Sequence, residues 1–129
     1  MNIERFEDVV SWQKARLLTR DVYDCSKLGE FAKDFSLRNQ IRSASVSIMS
    51  NIAEGFERGG DKEFIQFLST AKGSCGEVRS QLYVALDQGY IGSPKFDELC
   101  GMTIETSRVI SGLIKYLGRS DCAAPNSSN

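Results

Sequence analysis

The chain has 129 residues, 41% of them hydrophobic and 26% charged, which fits one domain that can bury a core and stay soluble. Its 16 Lys and Arg stand against 17 Asp and Glu, a formal net charge of -1, so the molecule as a whole has no pull toward nucleic acid or an anionic membrane. Histidine is absent, which removes the commonest general base and imidazole ligand, and with them a Ser–His relay within one chain and the Glu-x-x-His pairs of a di-iron bundle.

The apolar pattern predicts four helices with short joints. The first runs from about Asp8 to Leu28, with Trp12, Ala15, Leu18, Val22 and Cys25 on one face, and Gly29 ends it. The second runs from about Ser36, its expected cap, to Arg58, with Ile41, Ala44, Ile48, Ile52 and Phe56 as its stripe. Gly59 and Gly60 stop it, and Asp61 is the expected cap of the third. There Phe64, Leu68, Ala71, Cys75, Val78, Leu82 and Ala85 alternate spacings of four and three, an unbroken heptad seam. Gly73 and Gly76 lie inside this helix at a cost of about 1 kcal/mol each, which predicts close approach of a neighbouring helix as compensation. Gly89 ends it. The fourth opens on Ser93 as cap and Pro94 at the first helical position. Phe96, Leu99, Thr103, Thr106, Ile110, Leu113 and Leu117 form its core line, and Met102, Val109 and Tyr116 a second line that suits either a wide core stripe or a subunit interface.

Short joints between long helices force antiparallel neighbours, so the expected fold is all-α, an up-and-down antiparallel four-helix bundle over residues 1–118. Residues 119–129 are small, polar and aperiodic, as in a flexible C-terminal tail; Asn126-Ser127-Ser128 there matches a glycosylation sequon without consequence in a cytoplasmic protein. Met1 to Asp8 lacks a hydrophobic signal segment, and the longest apolar run, Leu82 to Leu86, is far too short to span a bilayer. A cytoplasmic protein with reduced thiols and no membrane contact is expected. Cys25, Cys75, Cys100 and Cys122 form no C-x-x-C pair, so they suit packing better than zinc.

Three stretches carry a family resemblance. One is Phe6-Glu7-Asp8-Val9-Val10-Ser11-Trp12-Gln13-Lys14-Ala15, with Val22-Tyr23 one face later. Another is Gln40-Ile41-Arg42-Ser43-Ala44-Ser45-Val46-Ser47-Ile48-Met49-Ser50-Asn51-Ile52-Ala53-Glu54-Gly55. The third comprises Glu63-Phe64, Phe67-Leu68, Ala71-Lys72-Gly73-Ser74 and Glu77. Their order and spacing resemble the bacterial four-helix-bundle family that includes the 23S rRNA intervening-sequence proteins. Ser43 departs from it, standing where many relatives carry a second arginine, and so does Met49, where many carry proline. The resemblance implies a cytosolic ring-forming homo-oligomer, a homopentamer, with RNA or an RNA-associated protein as the partner. It implies no established activity.

Individual motifs offer little chemistry. Ser69-Thr70-Ala71-Lys72 matches S-x-x-K, but the companion K-T-G is missing and Ala71 belongs to the heptad seam. There is no Walker loop and no G-x-G-x-x-G, so no cofactor is expected. Ser43, Ser47 and Ser50 share a face that favours close helix approach. Asn51 and Glu54, with Gly55, Gly73 and Ser74, read as a helix-packing motif in which Glu54 takes a partner from Arg42, Lys72 or Ser74. Arg16, Arg20, Arg38, Arg42 and Arg58 are the candidate contacts to nucleic acid or another partner. The expectation is a non-enzymatic assembly module that binds RNA or an RNA-associated protein. The alternative is a structural or protein-interaction scaffold that does not touch nucleic acid. Clustering of those arginines on one face separates the two readings from an interleaving with acids.

Overall fold

The computed structural model describes residues 2–123. A 3-10 turn, Phe6–Asp8, leads into α1, Val10–Ser26. A second 3-10 turn, Phe31–Lys33, leads into α2, Phe35–Glu57, which is followed by α3, Asp61–Asp87, and α4, Ser93–Ala123. Each helix packs on the next in sequence, and α4 returns against α1 to close a four-helix bundle. The helical backbone of α4 continues past residue 118 to Ala123; residues 124–129, the rest of the expected tail, lie outside the described residues. Among the described residues, no helix is long and apolar enough to cross a membrane.

The predicted stripes form the core. Leu18, Ile41, Ile48, Ile52, Leu68, Leu82, Leu99 and Ile110 are fully buried, each contributing roughly 1.5–3 kcal/mol of apolar transfer. Two polar residues of the α4 line, Thr103 and Thr106, are also buried, and each returns its hydroxyl to its own helix, on the Leu99 carbonyl at 2.7 Å and the Met102 carbonyl at 2.8 Å. The second α4 line divides: Met102 packs against the core, whereas Tyr116 is exposed.

Three of the expected caps are displaced, Ser93 among them, since α4 opens on it and the Phe96 amide bonds the Gly92 carbonyl at 2.9 Å. Asp34, not Ser36, caps α2, its Oδ1 accepting the Leu37 amide at 3.1 Å. Gly60 occupies the cap position of α3, so Asp61 falls inside the first turn, where with Glu63 it complements the helix dipole. Gly89, at φ 74°, ends α3 as expected. Its amide bonds the Leu86 carbonyl and that of Tyr90 the Ala85 carbonyl, a Schellman closure. Tyr90 is thereby delivered to the opposite joint. Its ring stacks on buried Phe31 at 5.3 Å, and its hydroxyl donates to Asp34 Oδ2 at 2.9 Å. One carboxylate thus caps α2 and ties the α1–α2 joint to the α3–α4 joint.

The close approach expected at Gly73 occurs at Gly55. A Cβ on Gly55 would sit 2.6 Å from the Phe67 Cβ and 3.0 Å from a Phe64 ring carbon, so α2 and α3 touch there almost backbone to side-chain root. A Cβ on Gly73 meets nothing within 4 Å, and neither does one on Gly76, because both point away from the α2–α3 seam. Gly55→Ala should therefore destabilise the fold by about 1–3 kcal/mol through overpacking, despite the helix propensity gained. Gly73→Ala should stabilise it by up to about 1 kcal/mol. Paired thermal melts check both, and equal shifts would contradict the assignment.

Candidate partner-binding surface

The predicted helix-packing residues meet along the α2–α3 seam, in part. Asn51 donates from Nδ2 to the Ser47 carbonyl at 2.9 Å and to Ser47 Oγ at 3.0 Å. Ser47 Oγ lies 3.0 Å from Ser74 Oγ, which carries the chain of bonds across to α3. Gly55 supplies the close contact one turn further along α2. Glu54 does not take the partner expected across the seam. It is exposed and pairs within α2 with Arg58 at 2.9 Å, because the i, i+4 spacing brings the two together outside the interface. Ser69 and Lys72, the S-x-x-K pair, are both exposed and make no hydrogen bond to each other.

The five candidate arginines separate into two kinds. Arg58 is held by Glu54 and, at 3.9 Å, by Glu63, and its guanidinium covers the Phe67 ring at 5.1 Å. The hydrogen bond it donates to Glu54 raises its pKa further, as its charge is already answered. Among the described residues, Arg16, Arg20, Arg38 and Arg42 make no ion pair. Three of them stand over aromatic rings instead: Arg16 over Trp12 at 5.8 Å, Arg42 over Tyr23 at 4.6 Å, Arg38 over Phe35 at 4.7 Å. Arg42 also donates from Nε to Ser26 Oγ at 2.8 Å, and Arg38 to the Ala32 carbonyl at 2.9 Å. Both are oriented by neutral acceptors and keep their charge unanswered.

Helix geometry assembles these groups along the α1–α2 side. Trp12, Arg16, Arg20 and Tyr23 recur at spacings of three and four, so they share one face of α1. Arg16 and Arg20 line a groove with Trp12, Thr19 and the α2 residue Met49. The Thr19 hydroxyl reaches the Ser45 carbonyl of α2 at 3.1 Å and holds the two helices at that point. The acids of α1 lie on its other flank. Asp21 and Asp24 line a separate depression with Lys95 and Glu98 of α4, and Lys14 is 3.9 Å from Glu105 of α4. Charges that are mixed along the sequence are sorted by the helix into a cationic α1–α2 side and a neutralised α1–α4 side. The aromatic partners of the arginines escaped the sequence reading; the Trp12/Arg16 spacing of four was the available signal.

Among the described residues, no group of three or more His, Cys, Asp or Glu is placed to hold a metal ion. An apolar groove of about 360 Å³ runs between α1 and α4, lined by Leu17, Met102 and Thr106 and edged by Lys14 and Glu105. Leu17 is exposed within this lining, and Ile104, the neighbour of Glu105 in sequence, is exposed as well.

Comparison with known proteins agrees with the bundle. The family model described as 23S rRNA-intervening sequence protein matches residues 7–112. A crystal structure of a protein of unknown function from the S23 ribosomal protein family of Bacteroides thetaiotaomicron superposes with a TM-score of 0.75. It is 23% identical in sequence, and the match covers 82% of this chain and 96% of that one. At that identity the likeness speaks for the fold. No curated protein matches.

The thiols are the remaining nucleophiles. Burial pushes Cys25 up to about 11, with nearby Lys95 opposing it too weakly to matter, and burial alone pushes Cys75 up to about 11. Cys100, half-buried, is raised by the same cause. Near pH 8, a thiol reagent followed by mass spectrometry should label Cys100 well before Cys25 and Cys75, whose labelling should track unfolding. Folding favours the neutral thiol, so this contribution is whole below the ordinary value of 9.0 and is lost as pH rises through about 11. Cys75→Ala should accordingly flatten the alkaline limb of the stability profile.

Proposed function

This chain belongs to the 23S rRNA-intervening sequence protein family, and we propose that it is a non-enzymatic, homo-oligomeric four-helix module that binds RNA through its α1–α2 side. The observation that carries this reading is the sorting of charge around α1. Arg16 and Arg20 of α1 line the groove beside α2, and Arg42 of α2 reaches back to Ser26 of α1, all without carboxylate partners, while Lys14 and the two aspartates are turned toward α4. A net charge of -1 gives little non-specific attraction, so binding depends on this face and not on the whole molecule. Arg58, already engaged by two carboxylates, drops out of the contact set.

Self-association is assigned to the α1–α4 side. Its groove is apolar, Leu17 and Ile104 are exposed, and the α4 line ends on exposed Tyr116. These features also favour the second reading, a protein-interaction scaffold with no nucleic-acid contact.

Fluorescence anisotropy of labelled RNA, structured and single-stranded, at low and near-physiological salt decides between the readings. Expected is binding that weakens with salt. In Arg16→Gln/Arg20→Gln/Arg42→Gln, the slope of log K on log salt should become shallower by about 0.7–0.9 for each phosphate no longer neutralised. Arg58→Gln should leave the affinity within about twofold, as expected for a surface charge already paired. No binding at low salt would move the assignment to the scaffold. Native mass spectrometry should return a multiple of the chain mass, and a lone subunit at micromolar concentration would refute the assembly.

A further inference from the structure

The groove between α1 and α2 has a volume of about 840 Å³, within the range of about 300–1,000 Å³ that holds small organic groups. Its walls carry Arg5, Arg16 and Arg20 against one acid, Glu7, and Arg5 already answers that acid at 3.5 Å. Between these charges lies Trp12, the only tryptophan of the chain, half-buried and held edge to face by Phe6 at 5.2 Å. Arg16 stands 5.8 Å from the indole centroid, further than Arg42 from Tyr23 at 4.6 Å or Arg38 from Phe35 at 4.7 Å. Arg16 is exposed and makes no ion pair among the described residues, so the ring contact is what restrains it.

A fixed aromatic surface flanked by unpaired guanidinium groups matches the two demands of an unpaired nucleic-acid strand, a plane for the base and cations for the phosphates. A duplex cannot use it, because its bases are stacked inside the helix and an indole recessed between two protein helices does not reach them. We infer that this groove takes single-stranded nucleic acid, with one base laid on Trp12 and the adjoining phosphates held by Arg16 and Arg20. This inference rests on the RNA-binding reading above and narrows it to an unpaired strand with a defined contact. Met49 closes the α2 side of the groove as an adaptable apolar wall.

The single tryptophan provides the readout. Oligouridine, a duplex RNA of equal phosphate content and inorganic polyphosphate are titrated into the intact protein, with Trp12 emission and probe anisotropy followed together. Expected is saturable quenching by oligouridine that rises in step with anisotropy, and little quenching by the other two. Trp12→Ala, its folding checked by circular dichroism, should weaken oligouridine binding by about tenfold to a hundredfold, and Trp12→Phe should restore most of it. Arg16→Gln/Arg20→Gln, at exposed positions, should weaken binding while the circular dichroism of the free protein stays as it was. Binding by anisotropy with unchanged Trp12 emission would overturn this inference and leave the RNA-binding reading standing. Equal quenching by polyphosphate would reduce the groove to a phosphate site and overturn it as well. Absence of binding by every probe at low salt would sink both.

Discussion

At Gly55 the backbone of α2 lies so near α3 that a methyl group there would stand 2.6 Å from the Phe67 Cβ, and the contact is to the root of that side chain, not to its yielding end. The pair cannot slide without opening this contact, so it fixes the register of α2 on α3. Phe56 and Phe64 pack edge to face at 5.9 Å beside it, and the Gly59–Gly60 joint is left short. The Ser74–Ser47–Asn51 bonds then follow along the same seam, since Ser47 can reach Ser74 only if the register holds. At the other end of the bundle, Asp34 has two roles at once, capping α2 and accepting the Tyr90 hydroxyl. That hydrogen bond raises the Tyr90 phenol above its ordinary value, so its stabilisation is whole below that value and fades only in strong alkali.

With α2 clamped to α3, α1 is constrained by what remains. It must bury Ala15, Leu18 and Val22 toward the core, and the Thr19 hydroxyl meets the Ser45 carbonyl. The rotation of α1 about its axis is then set, and with it the direction in which each surface charge points. Positions 16, 20 and 23 turn toward α2, and positions 21 and 24 toward α4. The cationic side is thus a consequence of core packing, although among the described residues no buried side chain carries charge.

Much of this was legible in the residues. The four helices follow from the three-and-four spacing of apolar positions, and the stops at Gly59 and Gly89 from the left-handed backbone each adopts, whereas α1 already ends at Ser26, ahead of the expected Gly29. Less legible was what depends on three-dimensional register. Gly73 and Gly55 are equally glycine in a helical run, and only the rotation of each helix decides which of them meets a neighbour. Ser36 and Asp34 are both competent caps; the Tyr90 hydroxyl, 56 residues away, favours the second. Glu54 reads as a seam residue by its apolar neighbours, yet it lies just outside, where Arg58 reaches it first. The arginine candidates could be named from composition alone. Which of them remained unpaired could not, because a pair such as Arg58 with Glu63 crosses a helix joint, and whether Arg16, Arg20, Arg38 or Arg42 meets a carboxylate depends on how each helix is turned.

The ring contacts of the arginines bear on how a chain of net charge -1 could hold a polyanion. A guanidinium that pairs with a carboxylate loses most of its outward field, and one left free on a flexible stem loses rotamer entropy on binding. A guanidinium laid on an aromatic ring does neither, since the ring restrains it and leaves its charge and donors available. Arg42, placed over Tyr23 and anchored by Ser26, is the clearest case, and Arg38 over Phe35 repeats the arrangement one turn away. Arg16 is the loosest of the three, and it alone borders an open groove. The tight pairs suit fixed phosphate contacts along the helix seam, whereas the loose one suits a site where the arginine must yield to let a planar group reach the ring.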